Sequence, residues 1–597
     1  MLGLDQTALL LDGLKPPAGM EIDAAVGTTF TLDLTALLAI PVAATLASGE
    51  QDGADSADLL EVVRRHADRT VLFCQAGAIS VPPKYRAALT FVEQSVVEAR
   101  KPPGGIFHPK IWVVRFSRAG VYSHRVLVMS RNLTFDRSWD VVVRLDEEPD
   151  AVRTMDNGGV VEFVRALPSF AARDVTEVQS NLVADLSSTL ATATLAVPTP
   201  FESGSFAPLL SRRDGQPFRG TCDHALAVSP FLSEDAARSF VDTATNRAVV
   251  IARPAALDAS ADGVRGAHRV LRMKDAVLDA ERTIDDTFDT TATDDSGSGA
   301  MLQLRGLHAK TYVQDHGDFA SCWIGSANLT AGAFSTNVEM LVRLTGPVGD
   351  VGVDSLLSPS PQKNNLSWFV EEHPLPETSK DSDAEEGLSE LEGHAFDVAS
   401  GQVTLTLTSA GEHWDAELGI TPWQLPAGVS VRARLLSLGT DQGVEVVQGS
   451  AFWPAIPLSL ITPFVVLEAR VGGQVRHVLV RAQLVGDPED RRRSVIANAI
   501  ASRDDFFRYL AALLGAEQGF GSAGMGEGLF TGGWIGGGSS RVLENLLVTA
   551  SRNPDRLASL DQTLKQLRDR SDVAEIVPED FHQLWDAVYA VRKGAIG

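Results

Sequence analysis

The sequence predicts an α/β fold with two pseudo-symmetric halves that share one site, followed by a small antiparallel β domain and a C-terminal helical region. A set of polar residues occurs twice in the same order, about 200 residues apart, which indicates an internal repeat. Apolar, strand-like runs alternate with amphipathic helical stretches around both sets. Beyond residue 396 the pattern changes to short β-branched runs separated by turn residues, which is typical of a β-sandwich.

These patterns set the predicted domain boundaries. They are a first half at 1–185, a second half at 186–372, an acidic linker at 373–395, a β-sandwich-like domain at 396–487 and a helical C-terminal region at 488–597. Within the last region, residues 515–540 are rich in glycine and predict a flexible connector. No Gly-Lys-Ser/Thr follows these glycines, so a phosphate-binding P-loop is not supported.

The first copy of the repeated set begins with His108 and Lys110, which flank one proline. Two apolar runs follow, and the second ends at Ser130 and Asn132, with Asp140 a few residues later. Residues 111–114 and 126–129 are rich in β-branched and other apolar side chains, so both runs predict buried strands.

The second copy repeats this order with His308 and Lys310, then Ser326 and Asn328, then Glu339. Because side chains alternate along an extended segment, the His and Lys of each copy face the same side. Each copy therefore presents an imidazole, an ammonium group, a carboxamide and a hydroxyl at one end of a sheet.

This set of groups suits a phosphodiester. Lysine supplies positive charge to the non-bridging oxygens, and Asn and Ser donate hydrogen bonds to them. One imidazole attacks phosphorus and a second protonates the leaving oxygen, so both copies are needed at one site. An acid, Asp140 or Glu339, is suited to orient an imidazole through its other nitrogen.

The doubled His-x-Lys pattern resembles that of the phospholipase D superfamily, over roughly residues 20–370. The second copy is similar to the longer family motif, with Asp315 after His308 and Lys310. The first copy has Arg115 at the matching position. A motif with His, Lys and Asn but no Asp resembles the tyrosyl-DNA phosphodiesterase branch, as do the Ser-x-Asn-Leu-Thr segments.

The resemblance implies two α/β halves packed about a pseudo-two-fold axis, and a phosphohistidine intermediate that requires no metal or cofactor. By the same resemblance His108 is the nucleophile and His308 the general acid, although the internal symmetry leaves the reverse assignment open. The phosphate-binding residues implied are Lys110, Asn132, Lys310 and Asn328. The supporting residues implied are Ser130, Asp140, Asp315, Ser326 and Glu339.

Simpler roles remain open for the supporting residues. Ser130 and Ser326 suit strand-end caps, and Asp140 and Glu339 suit solvated strand ends. Asp315 precedes a turn and suits a turn role equally well.

Composition narrows the classes of function. Three widely separated cysteines provide neither a disulfide framework nor zinc-ligand spacing, so we expect a reducing cytoplasmic location and no metal site. The sequence shows no signal-peptide pattern at its start and no apolar stretch long enough to span a bilayer. A net charge of −25 is unlike a nonspecific nucleic-acid binder and disfavours anionic lipid surfaces.

Several further elements are predicted from periodicity and capping. Residues 55–69 and 85–100 show helical periodicity, and residues 70–75 form a short buried strand. Ser233 is placed to cap a helix over residues 234–241. Residues 284–300 are acidic and rich in turn residues, which predicts a loop leading to the second motif.

The function favoured by the sequence is a metal-independent phosphodiesterase that acts on nucleic acid, DNA rather than RNA, as a nuclease or end-processing enzyme. One alternative is a phospholipase or phosphatidyl transferase, and another is an inactive scaffold that binds nucleic acid or a partner protein. A monomer is sufficient for catalysis in this scheme. The C-terminal region suggests a partner-binding role, for instance in a bacterial antiviral defence system.

Overall fold

The structure is a computed structural model. It describes residues 13–46, 57–135, 138–210, 216–218, 220–274, 306–359, 365–379, 390–425, 428–471, 474–488, 491–514, 546, 554–568, 572–578, 581–582 and 585. The predicted acidic loop 284–300 and glycine-rich connector 515–540 lie outside these residues, as do most of the charged residues of the predicted linker.

The described part of the chain alternates strands with helices up to residue 372. The strands of its first part are β1 (Glu21–Thr29), β2 (Leu32–Asp33), β3 (Thr70–Gln75), β4 (Ile79–Ser80), β5 (Val96–Ala99), β6 (Ile111–Arg118), β7 (Val121–Met129), β8 (Ser138–Trp139) and β9 (Val142–Asp146). Those of the next part are β10 (Ser203–Leu209), β11 (Cys222–Val228), β12 (Ala244–Ile251), β13 (Arg269–Met273), β14 (Gly306–Leu307), β15 (Thr311–His316), β16 (Phe319–Gly325), β17 (Glu339–Pro347) and β18 (Val370–Glu372).

The remaining strands are β19 (Gln402–Ala410), β20 (His413–Thr421), β21 (Ser430–Leu435), β22 (Val444–Glu445), β23 (Ser450–Ile456), β24 (Phe464–Val471), β25 (Gln474–Arg481) and β26 (Gln483–Val485). The α-helices are Leu34–Leu46, Ala57–Ala67, Leu89–Val92, Gly158–Ala166, Glu177–Leu190, Glu234–Val241, Pro254–Ala259, Ala261–Val264, Ala331–Ser335, Val348–Val351, Val353–Leu357, Glu390–Ser400, Arg491–Ala499, Arg503–Leu514, Pro554–Arg568 and Val573–Ile576. Short 3-10 helices lie at Leu167–Phe170, Leu366–Trp368, Thr440–Gln442 and Leu458–Leu460.

The first large sheet is mixed and has the order β5-β3-β1-β6-β7-β9. Strands β5, β3 and β1 are parallel, and β6, β7 and β9 continue the sheet antiparallel. All six residues of β3 are buried, as are the first six of β6, because both faces of the sheet are covered. One face packs on helices Leu34–Leu46 and Ala57–Ala67, and the other packs on the second large sheet.

The second large sheet repeats this arrangement. Its central order is β13-β12-β11-β15-β16-β17, with three parallel strands followed by three antiparallel ones, and β18 and β10 pair at its edges. A single core contains side chains from both sheets, and helix Glu234–Val241 covers the outer face of the second. The chain is therefore a mixed α/β protein with two sheets packed face to face between helices.

A two-stranded parallel ribbon joins the two parts. Strand β8 pairs with β14, so that Gly306 lies beside Ser138 and Leu307 beside Trp139. Phe107 forms a corresponding isolated bridge with Val338. The segment before each His is thereby held against the acid-bearing segment of the opposite part.

The β region differs from the predicted antiparallel sandwich. Two sheets are present, but β26 is parallel to β19, and β2 and β4 from the first part of the chain belong to the sheet that contains β25, β24, β21 and β22. Helix Glu390–Ser400 begins inside the predicted linker. The described residues thus form mixed sheets, and this region shares strands with the first part instead of folding apart from it.

The C-terminal helices pack on the first part of the chain. Phe506, Leu510, Leu560 and Leu564 belong to the same core as Leu37 and other side chains of the N-terminal helices. An ion pair within this interface joins Arg491 to Glu93, which are both about 2% exposed at the side chain, at 2.8 Å. Helices Arg491–Ala499 and Arg503–Leu514, which lie in the region predicted to be helical, thus have a structural role.

Candidate active site

The two His-x-Lys segments lie at corresponding edges of the two large sheets. Strand β6 begins directly after Lys110 and runs antiparallel to β1, so Lys110 lies near the end of β1. Strand β15 begins after Lys310, and its first residue, Thr311, pairs with Val228, the last residue of β11. In each sheet the central parallel strand therefore ends beside the motif.

The same local hydrogen bonds hold both motifs. Thr29, at the end of β1, accepts a hydrogen bond from the Leu133 amide at 3.0 Å and donates one to the Thr31 carbonyl at 2.7 Å. Ser229, after β11, accepts one from the Leu329 amide at 3.0 Å and donates to the Phe231 carbonyl at 2.7 Å. A hydroxyl at the strand end thus positions the leucine of each Ser-x-Asn-Leu-Thr segment.

His108 bonds to the acid of the other copy. Its Nδ1 lies 2.9 Å from both carboxylate oxygens of Glu339, which is fully buried. Ser326 donates to Glu339 Oε2 at 2.5 Å, and Asn337 donates to Oε1 at 3.2 Å. These bonds fix the carboxylate, and the carboxylate fixes the imidazole.

His308 is held in the same crossed manner. Its Nδ1 lies 2.8 Å from Asp140 Oδ1, which also accepts a hydrogen bond from Ser130 at 2.9 Å. Both serines also accept a hydrogen bond from the backbone amide of the residue after the acid, from Val141 at 3.0 Å and from Met340 at 2.9 Å. The predicted supporting residues Ser130, Asp140, Ser326 and Glu339 therefore lie together with the two histidines.

Burial and charge set the protonation of the imidazoles. His108 and His308 are 7% and 6% exposed. Burial lowers the pKa of His108 to about 4 and that of His308 to about 3; the lysines add to this, and the bonded carboxylates oppose it. Since a carboxylate cannot donate, each Nδ1 carries the proton and each Nε2 presents a lone pair.

The carboxylates remain ionised. Burial raises the pKa of Glu339, but His108, the hydrogen bond between them and Lys110 outweigh it, so the pKa lies below its usual range. The pKa of Asp140 is lowered in the same way, with His308 outweighing burial. Two anionic groups thus lie behind the two imidazoles.

The two lysines are fully buried within the site. Lys110 Nζ donates to the His108 carbonyl at 2.9 Å, and Lys310 Nζ donates to the His308 carbonyl at 2.7 Å. Burial, together with Lys310, lowers the pKa of Lys110 well below its usual value, although Glu339 opposes this. Electrostatic coupling among both lysines and both acids indicates that the four charges are neighbours.

The carboxamides of Asn132 and Asn328 lack strong bonds. Asn132 Oδ1 accepts only a 3.5 Å contact from the Thr31 amide. Asn328 Oδ1 is buried and has no hydrogen-bond partner among the described residues. An amide oxygen only accepts hydrogen bonds, so the atom of each carboxamide that can donate to a phosphate oxygen is Nδ2.

Asp315 lies away from these residues. Its carboxylate accepts the Val353 amide at 3.2 Å and contacts His224 Nδ1 at 3.3 Å. From the start of β15 it is roughly 13 Å along the strand. The structure therefore separates Asp315 from the two imidazoles, and its bonds anchor the start of helix Val353–Leu357.

Arg115, the matching residue in the first copy, has an equivalent structural role. It bonds Asp23 on the neighbouring strand and Asp185 on helix Glu177–Leu190, at 2.5 and 2.6 Å. The difference between Asp and Arg at this motif position therefore changes which helix is anchored and leaves the site intact.

Three residues near the site have no sequence motif. Gln75 accepts the Phe107 amide at 2.8 Å, and Arg253 Nε donates to the Leu307 carbonyl at 2.9 Å. The Phe30 ring lies 5.3 Å from the His108 ring. Gln75 and Arg253 are detectable only as polar residues that end a buried strand.

The described residues contain neither a metal-binding cluster nor a membrane-spanning helix. No group of three or more His, Cys, Asp or Glu residues in the described ranges is arranged to hold a metal ion. Within the same ranges, every helix is too short or too polar to cross a membrane.

Comparisons with known proteins find only remote similarity. No family model matches the chain, and no curated protein matches it by sequence. A yeast tyrosyl-DNA phosphodiesterase structure is 11% identical to this chain, with a TM-score of 0.29. The match covers 58% of this chain and 87% of the yeast chain. A polyphosphate kinase from Porphyromonas gingivalis is 12% identical to this chain, with a TM-score of 0.29. The match covers 57% of this chain and 42% of the kinase chain. Likeness at this level does not assign a function.

Proposed function

We propose that the chain is a metal-independent phosphodiesterase that cleaves nucleic acid through a phosphohistidine intermediate, with DNA preferred to RNA. The observation that supports it is the pair of crossed hydrogen bonds, His108 to Glu339 and His308 to Asp140. Each bond engages Nδ1 and leaves Nε2 of its imidazole available, one for attack on phosphorus and the other for proton transfer, and the two imidazoles share one set of buried lysines. Transfer of a phosphoryl group requires an acid, a base and nearby positive charge, and this arrangement provides all three.

In the first step, the Nε2 lone pair of His108 attacks phosphorus and forms the P–N bond. His308 enters this step as the imidazolium, with protons on both Nδ1 and Nε2. The bond from phosphorus to the leaving oxygen breaks, and that oxygen takes the Nε2 proton of His308. Glu339 stabilises the positive charge that develops on His108, because it accepts the Nδ1 proton. His308, now neutral, keeps its own Nδ1 proton on Asp140.

In the second step, water attacks the same phosphorus atom. His308 Nε2 accepts the proton of the water, the P–N bond breaks, and His108 returns to the neutral form. Lys110, Lys310, Asn132 and Asn328 bind the non-bridging oxygens in both steps, because ammonium groups and amide N–H groups stabilise the negative charge of a phosphate. The cycle needs only groups of one chain, so a monomer is sufficient.

The choice of nucleic acid rests on the motif resemblance stated above and on charge. The chain carries a net charge of −25, so binding depends on the local cations of the site. We expect a DNA end or a single strand, in preference to a duplex interior, to present the scissile phosphate to the buried imidazoles. We place the enzyme in the cytoplasm, with the C-terminal region available to a partner such as a component of an antiviral defence system.

A cleavage assay tests the proposal. Labelled single-stranded DNA, RNA and phosphatidylcholine are incubated with the wild-type protein in EDTA, and with His108→Ala and His308→Ala. We expect DNA cleavage that falls at least about 100-fold in either variant. Lipid turnover would identify a phospholipase, and absence of all turnover would identify an inactive scaffold.

A matched control variant is available. His124 is buried on β7 and bonds Glu147 at 2.7 Å, in a His–carboxylate pair outside the site. His124→Gln should leave cleavage per folded molecule unchanged. Mass spectrometry of His308→Asn quenched in alkaline denaturant, in which a P–N bond survives, should detect the phosphate-linked substrate fragment on His108. The same adduct on His308 in the reciprocal variant would reverse the two roles.

A further inference from the structure

Arg253 lies at the same sheet edge as the second motif. Val228 pairs with both Ile251 and Thr311, so the ends of β11 and β12 and the start of β15 are in one row. Arg253 comes two residues after Ile251, and its Nε bonds the carbonyl of Leu307, the residue before His308. The guanidinium is thereby tied to the backbone of the site.

The charge of Arg253 has no counter-ion among the described residues. Its guanidinium lies over the Phe231 ring at 4.9 Å, and Nη2 is buried with no hydrogen-bond partner. Asp140 attracts it electrostatically but forms no hydrogen bond to it: Oδ1 is bonded to His308 and Ser130, and Oδ2 has no hydrogen-bond partner among the described residues. A partly buried guanidinium with a buried, unpaired donor is costly, and a bound anion removes that cost.

The equivalent position in the first sheet is neutral and saturated. Strand register places Gln75 there, because Phe73 lies beside Thr28 as Ile251 lies beside Val228. Gln75 accepts the Phe107 amide at 2.8 Å and donates to the carbonyls of Ala76 and Ala99 at 3.2 and 3.5 Å. The His308 side of the site therefore has one more cation, with donors to spare.

We propose that Arg253 binds a second anionic group of the substrate, the phosphate next to the scissile one on the leaving-group side. This rests on the proposed function, in which His308 protonates the leaving oxygen. A planar guanidinium fits two phosphate oxygens at once, and its Nη groups are the donors left after Nε is used. The preferred substrate is then an oligonucleotide whose leaving strand continues beyond the first nucleotide.

The test compares charged and neutral neighbours of the scissile phosphate. Two trinucleotides are used, identical except that one carries a methylphosphonate at the neighbouring position. Wild-type KM should be about 10- to 100-fold lower for the charged trinucleotide, and Arg253→Gln should abolish that difference. kcat and its pH profile should change little.

Arg343→Gln is the matched control. Arg343 also stacks on an aromatic ring, Trp323 at 5.3 Å, but it lies in the middle of β17 and is exposed. Arg343→Gln also removes one arginine charge, and this variant should retain the preference for the charged trinucleotide. Arg253→Lys, which keeps the charge but loses the planar fork, should restore part of it.

Each result is decisive for the subsite. An equal loss on both trinucleotides, or a loss confined to kcat and its pH profile, would mean that Arg253 positions Asp140 and does not bind substrate. Fluorescence anisotropy with both labelled trinucleotides separates this question from catalysis. If no cleavage occurs but binding still shows an Arg253-dependent preference, the subsite stands and the proposed function fails. Binding without such a preference overturns the subsite.

Discussion

Glu339 accepts the Nδ1 proton of His108 across 231 residues of sequence, at 2.9 Å to each carboxylate oxygen. His308 and Asp140 form the converse pair at 2.8 Å. Each imidazole is therefore oriented by the motif copy to which it does not belong. Neither copy alone provides a supported histidine, so the site exists only when both are assembled.

Replacing the acid behind His108 tests this dependence. Glu339→Gln should lower kcat about 10- to 100-fold with little change in KM, because the neutral amide no longer stabilises the positive charge that develops on the imidazole. The pKa of His108 should fall further, since the carboxylate that opposes burial is gone. Steady-state kinetics across a pH series measures both effects.

Glu147→Gln is the control for that variant, because Glu147 supports the buried His124 away from the site. It should alter stability alone. Equal losses of kcat in the two variants would contradict a specific role for Glu339.

A leaving-group series separates the two imidazoles. His308→Ala should lose most of its activity on an oligonucleotide but recover it at least about 10-fold on a p-nitrophenyl nucleotide ester, whose leaving oxygen needs no proton. His108→Ala should stay inactive on both substrates because no nucleophile remains. Rescue of His108→Ala in place of His308→Ala would exchange the two roles.

The pH dependence of activity follows from the lowered pKa values. The reaction needs one neutral and one protonated imidazole, and burial brings the pKa of His108 to about 4 and that of His308 to about 3. The fraction of free enzyme in that state therefore rises as pH falls from neutrality. We expect kcat/KM to increase down to about pH 5, while kcat peaks at higher pH because a bound phosphate anion raises both pKa values. A kcat/KM optimum at or above pH 7 would contradict the requirement for one protonated and one neutral imidazole with lowered pKa values.

The free energy of unfolding should fall as pH falls, whereas the activity rises. The unfolded chain binds protons on these imidazoles near pH 6.5, whereas the folded chain resists them until about pH 4. The stability they contribute is present above pH 6.5 and is lost as pH falls, by at most about 1.4 kcal/mol per pH unit for each histidine. Thermal denaturation should show a shallower acid decline for His108→Gln than for the wild type.

The sequence predicts the site segments well because each is a short run that ends a buried strand. Thr70–Gln75 and Glu234–Val241 have the predicted bounds, and the strands after Lys110 and Lys310 start where expected. These patterns are local, so periodicity and residue type are sufficient to find them.

Long-range packing explains the sequence predictions that are wrong. Residues 85–100 have helical periodicity, but only Leu89–Val92 is α-helical, because Val96–Ala99 joins the sheet beside β3. Ser233 does not cap its helix; its hydroxyl accepts the Ala331 amide at 2.9 Å. The crossed pairing of acids and histidines, and the place of Arg253, depend on how the two sheets meet. No window of sequence contains that information.

The last prediction concerns the interface between the C-terminal helices and the first part of the chain. Arg491 bonds Glu93 at 2.8 Å, Asp487 at 2.7 Å and the Ile461 carbonyl at 3.1 Å, and it is 2% exposed. Arg491→Ala leaves Glu93 buried without its cation, which should lower the free energy of unfolding by about 3 to 5 kcal/mol. Chemical denaturation measures this loss.

An exposed ion pair provides the contrast. Arg238 bonds Glu234 on the surface of its helix, and Arg238→Ala should cost less than about 1 kcal/mol. Below the unfolding transition both variants should keep their cleavage activity per folded molecule, because neither side chain contacts the imidazoles. If Arg491→Ala lowers the free energy of unfolding no more than Arg238→Ala does, the C-terminal helices add little to the stability of the first part. Their packing would then serve chiefly to present a surface, as expected of a region that binds a partner.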